Sequence, residues 1–93
     1  MSDITLTLIG KPGCHLCDDA RIVVNEVVAE VAESALRMTP RPRLILEELS
    51  IEEDRVLFDE YGEQIPVLLI NGKVHNFWRI DPVRLTHSLK GLL

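Results

Sequence analysis

Long apolar runs are missing from this chain. The longest stop at four or five residues, far short of the roughly 18 that suggest a membrane span. Cysteine is scarce as well, two in 93 residues, which excludes the disulfide scaffold of small secreted domains. Glycine and proline, five of each, are too few for a collagen-like repeat or a disordered tail. Positive charge is outnumbered, ten Lys and Arg against fifteen Asp and Glu for a net charge of -5. No basic cluster offsets that excess, so no nucleic-acid partner is expected. The stretch Met1-Ser2-Asp3-Ile4-Thr5-Leu6-Thr7-Leu8-Ile9 lacks the basic n-region of a signal peptide. These absences lead us to expect a cytoplasmic monomer with no membrane partner. What is present, 46% apolar and 27% charged residues, is ordinary globular material and enough for one domain, residues 1–93.

Ile4, Leu6 and Leu8 alternate with Thr5 and Thr7 and stop at Gly10, the pattern of a strand ended by a turn. Apolar residues then recur three or four apart from Leu16 through Ala20, Val24, Val27 and Val31 to Ala35, predicting an amphipathic helix of about six turns. Pro40 and Pro42 are expected to end it. Leu44-Ile45-Leu46 opens a second strand, apolar on both faces and so expected inside the sheet. Val56, Leu57 and Tyr61 ahead of Gly62 predict a short second helix. Two apolar runs around Asn71-Gly72 predict a hairpin with a type I′ turn. Asp81-Pro82 opens a last helix, with Val83, Leu85, Leu89 and Leu92 as its apolar face. The acidic residues Glu47, Glu48, Glu52, Glu53, Asp54 and Glu60 read as solvated surface.

The two cysteines stand at the junction of the first strand and the long helix, as Cys14-His15-Leu16-Cys17. A loop that short makes a bridge of little structural value. Residues three apart on a helix are neighbours, and the N-terminus of a helix favours a thiolate. Cys14, at the exposed start, is the candidate nucleophile, and Cys17, within the first turn, the candidate resolving thiol. Lys11 and a protonated His15 would favour the thiolate, whereas Asp18 and Asp19 oppose it.

Other readings of the pair are a coincidental packing of two small apolar side chains and a zinc site. Structural zinc requires four ligands, and His75 and His87, read as surface residues, would have to supply the remainder, so no metal is expected. Phe77 and Trp78 occupy adjacent strand positions and point to opposite faces, which places at least one in the core.

The Cys-x-x-Cys after a first strand, the Ile65-Pro66 step at the start of a hairpin, and the βαβαββα order together resemble the thioredoxin superfamily. Lys11-Pro12-Gly13-Cys14-His15-Leu16-Cys17 and Gln64-Ile65-Pro66-Val67 are similar to segments of glutaredoxins and small bacterial glutaredoxin-like proteins. The resemblance implies an α/β fold, a four-stranded mixed sheet flanked by helices, with the first strand beside the second and third. It implies a cis bond before Pro66, next to the Cys pair, and an Ile65 backbone that pairs with an extended thiol substrate. Lys11 matches a lysine placed near the glutathione carboxylate.

The implied activity is that of a dithiol-disulfide oxidoreductase acting on protein disulfides or mixed disulfides with small thiols. It holds no bound cofactor and is restored by an external thiol or a reductase. The chain departs from glutaredoxins in carrying Phe77-Trp78 where they carry Gly-Gly, which leaves open whether glutathione is that thiol. The alternative from another class is a non-catalytic binding or adaptor module with inert cysteines.

Overall fold

The computed structural model describes residues 3–93; Met1 and Ser2, where the reading of the N-terminus begins, lie outside them. The elements run β1 (Ile4–Gly10), α1 (His15–Ala35), β2 (Leu44–Ser50), α2 (Arg55–Tyr61), β3 (Val67–Ile70), β4 (Lys73–Phe77) and α3 (Pro82–Leu92). The sheet order is β2-β1-β3-β4, with β1 parallel to β2 and antiparallel to β3, and β3 antiparallel to β4. This is the expected βαβαββα arrangement on a mixed sheet. Among the described residues no helix is long and apolar enough to cross a membrane.

Central position explains β1, where every residue but Thr5 is buried. Ile4, Leu6 and Leu8 point toward α1 and α3 and join Ala20, Val24, Val27, Val31, Leu68, Leu85 and Leu89 in the larger core. Alternation sends Thr7 and Ile9 to the opposite face. There Ile9 packs with Ile51 and Val67 under half-buried Leu57, Tyr61, Ile65 and Leu69, and the buried Thr7 hydroxyl donates to the Glu47 carboxylate at 2.8 Å.

Several expectations need correction. β2 is an outer strand, not an interior one: Leu44 and Leu46 are half-buried against the larger core, while Glu47, Glu48 and Leu49 are exposed. Cover by helices on one face accounts for Leu44 and Leu46, while Ile45 alternates to the opposite face, where it is half-buried. α1 stops at Ala35, ahead of the prolines. Leu36 is exposed and its N–H turns back to the Glu33 carbonyl, so no packing draws the helix further. In α2, Val56 is exposed and the inward face is Leu57 and Tyr61. In α3, Leu85 and Leu89 are buried but Val83 and Leu92 are exposed, since Val83 lies two residues from Leu85 and faces away.

The turns follow their chemistry. Asn71 and Gly72 have φ of 51° and 82°, the left-handed pair that a type I′ turn requires. Asp54 caps α2 by accepting from the Val56 and Leu57 amides, and Asp81 caps α3 through those of Val83 and Arg84. In β4 the register passes from Leu68–Asn76 to Leu69–Val74, leaving His75 as a bulge residue. His75 is therefore not the surface residue expected. It is half-buried, its Nε2 is enclosed without a hydrogen-bond partner, and burial, with Arg84 nearby, pushes its pKa down.

Candidate functional site

The two cysteines, both free thiols, occupy the first turn of α1. Cys14 is the N-cap in extended conformation, and its Sγ accepts the Cys17 N–H at 3.2 Å. A sulfur thus takes the place of the oxygen that usually caps a helix, aimed at amides whose partial positive charge favours an anion. Cys14 is partly exposed, whereas Cys17 is 2% exposed. Burial pushes the Cys17 thiol up to about 11, helped by Cys14 and the Asp18 carboxylate and opposed by the Lys11 backbone. Two identical side chains three residues apart therefore differ in access, with the accessible one at the helix terminus.

Gly10 fixes how deeply Cys17 sits. A Cβ on Gly10 would lie 2.9 Å from the Cys17 Sγ and 3.2 Å from its Cβ. Residue 10 thus has to be small for the helix to seat its second cysteine against the sheet. The sequence showed this glycine only as a strand stop, and the contact depends on tertiary packing. Ile9 pairs with Val67, so Gly10 and Pro66, the next residue of each segment, stand at the same end of the sheet. Pro66 is buried, and the Ile65–Pro66 bond is cis, as the resemblance implied. Half-buried Ile65 belongs to the core cluster on the α2 face.

Lys11 and Cys17 share the lining of a cleft of about 320 Å³ with Gly10, Arg21 and Glu48. Arg21, which sequence reading passed over, donates to Asp18 at 2.9 Å and to Glu48 at 2.6 Å. It joins α1 to β2 and partly neutralises the Asp18 charge. Its spacing of three from Asp18 was the available signal. His15 is exposed, and no hydrogen bond among the described residues joins it to either sulfur.

On the other side, Leu16, Phe77, Trp78 and Arg79 line a second hollow of about 460 Å³. Neither aromatic is in the core, contrary to expectation: Phe77 is 39% and Trp78 53% exposed. Strand alternation fails because Trp78 has φ of 64°, which turns its ring to stand edge-on to Phe77 with centroids 5.0 Å apart. The Trp78 N–H donates to the Pro66 carbonyl at 2.8 Å and its indole N–H to the Glu63 carbonyl at 3.3 Å. Among the described residues, no group of three or more His, Cys, Asp or Glu could hold a metal ion.

A family model described as "Glutaredoxin-like domain (DUF836)" matches residues 5–90. The chain belongs to this glutaredoxin-like family. A glutaredoxin-like protein of Dictyostelium discoideum is 29% identical over 92 residues, covering 97% of this chain and 79% of the relative. An uncharacterized protein of Mycobacterium tuberculosis is 27% identical over 92 residues, covering 91% of this chain and 81% of its own. Among solved structures, the crystal structure of a structural-genomics target from X. campestris superposes with a TM-score of 0.67 at 27% identity. It covers 92% of this chain and 96% of that one. Chloroplastic thioredoxin z gives a TM-score of 0.68 at 11% identity, over 98% of this chain and 79% of that one; at that identity the likeness is one of fold. The fold of this glutaredoxin-like chain is that of the thioredoxins.

Proposed function

We propose that this glutaredoxin-like protein is a dithiol-disulfide oxidoreductase with Cys14 as nucleophile and Cys17 as resolving thiol. The observation that carries the reading is the sulfur of a partly exposed Cys14 at the N-cap of α1, 3.2 Å from the amide of a buried Cys17. The Cys14 thiolate attacks one sulfur of a substrate disulfide, forming a mixed disulfide and expelling the other sulfur as a thiolate that takes a proton from solvent. Cys17 then gives up its proton and attacks the Cys14 sulfur. The second substrate thiol leaves, and the Cys14–Cys17 bond forms. Two electrons pass from the pair to the substrate, and an external thiol or a reductase returns them. Substrates are protein disulfides or mixed disulfides with small thiols. The Ile65 backbone and Pro66, at the same end of the sheet, receive the extended substrate chain, and Lys11 contributes positive charge beside the pair.

Burial of Cys17 orders the two steps: its high pKa keeps it protonated while Cys14 attacks, so the pair does not compete for the first disulfide. The test uses reduced protein and an aromatic disulfide whose released thiol absorbs light. Wild type is expected to release both aromatic thiols per molecule. Cys17→Ser should release one and stay joined to the other, visible as added mass, and Cys14→Ser should react at least about tenfold more slowly. Equal, slow reaction of all three proteins would overturn the reading in favour of an adaptor module with inert cysteines.

A further inference from the structure

The chain has four aromatic residues, Phe58, Tyr61, Phe77 and Trp78, and two of them stand exposed beside the Cys pair. We propose that Leu16, Phe77 and Trp78 form a subsite for an apolar side chain adjacent to the reactive cysteine of a polypeptide substrate. The proposal rests on the redox reading above and names the class of substrate that reading leaves open.

Two observations converge on it, the hollow and the conformation of Trp78. Leu16, two residues after Cys14, lines the same hollow as Phe77, Trp78 and Arg79, so a substrate joined to Cys14 would bring its neighbouring residues toward that hollow. Its volume of about 460 Å³ falls in the range of small-ligand pockets and accommodates one aliphatic or aromatic side chain. Trp78 holds a left-handed backbone, φ 64°, which is unfavourable for a bulky residue. Its N–H bond to the Pro66 carbonyl and its indole bond to the Glu63 carbonyl fix the ring in place despite that strain. Held there, the ring stays half in solvent instead of joining the core, and Phe77 supports it edge-on. A ring kept exposed at such a cost is accounted for by a contact completed only when substrate arrives. A hydrophilic small-thiol disulfide offers nothing to fill the hollow.

Two peptides, identical except for Leu or Ser next to a single cysteine carried as a mixed disulfide with 2-mercaptoethanol, provide the test. For wild type the Leu peptide should react about tenfold faster than the Ser peptide. That ratio should fall toward one in Phe77→Ser and in Trp78→Gly, the latter relieving the backbone strain. Because Trp78 is the sole tryptophan, Cys17→Ser protein trapped with the Leu peptide should show blue-shifted emission, and with the Ser peptide none. Equal wild-type rates, or emission unmoved by the trapped Leu peptide, would overturn the subsite while leaving the oxidoreductase intact. Reduction of neither peptide would overturn both.

Discussion

On one face of the sheet α1 and α3 lay Ala20, Val24, Val27, Val31, Leu85 and Leu89 over Ile4, Leu6, Leu8 and Leu68. On the other, α2 brings only half-buried Leu57 and Tyr61 against Ile9, Ile51 and Val67, and none of its residues is fully buried. The first face carries most of the apolar burial and hence most of the stability. The second is thin, and it carries the segment that leads into Ile65 and Pro66. The proposed chemistry lies where the two meet: the cysteines come from α1 on the thick side, and Ile65, which leads into Pro66, packs on the thin one. A 21-residue helix packed on the larger core thus positions the sulfurs, while Ile65, one residue ahead of the buried proline, stays half-buried.

This contrast is best broken from the thick side. Leu85→Ala removes a side chain with no exposed surface and is expected to cost about 2–5 kcal/mol, read as a lowered urea midpoint of the whole domain. Cys17, also on that side, gives a pH signature. Its folded-state pKa is raised to about 11, so the unfolded chain ionises first as pH rises. The contribution is therefore whole below about pH 8.5 and declines until pH exceeds about 11. Unfolding curves from pH 8 to 11 should show this loss, and Cys17→Ala should flatten it.

Gly10→Ala brings a methyl group to 2.9 Å from the Cys17 sulfur and should cost about 1–3 kcal/mol. It should also slow closure of the Cys14–Cys17 bond more than the first attack, measured by stopped flow. Smallest is Asp54→Ala, which removes the cap of α2 for about 1 kcal/mol. On the thin face that loss should appear as faster amide exchange confined to α2, with the global midpoint nearly unmoved. If α2 and α1 instead lose protection together, the two faces unfold as one unit and the contrast fails.

Local chemistry made much of this legible in advance. The Asn71-Gly72 turn, the Asp81-Pro82 helix start and the Cys14-to-Cys17 spacing each depend on residues within a few positions, and the structure reproduces all three. Readings failed where a partner distant in sequence decides the outcome. Leu44-Ile45-Leu46 could not announce that only β1 lies beside it, and Gly10 could not announce the sulfur above it. Phe77 and Trp78 defeated the alternation rule because one left-handed residue reorients a ring, and nothing about a tryptophan signals that conformation. His75 was misplaced for a related reason, since a bulge shifts the facing of every residue after it.

That bulge reaches beyond the molecule's own packing. A four-stranded sheet has two open edges, and each is a template on which a strand of another molecule could add. The β2 edge presents the exposed carboxylates of Glu47 and Glu48, already held by Thr7 and Arg21, so an incoming strand would have to seat its side chains beside charged groups. The β4 edge lacks that charge, but at His75 its hydrogen-bonding groups fall out of step, so an incoming regular strand would lose its ladder within a few residues. One edge is charged and the other miscounts, and the sheet ends at four strands.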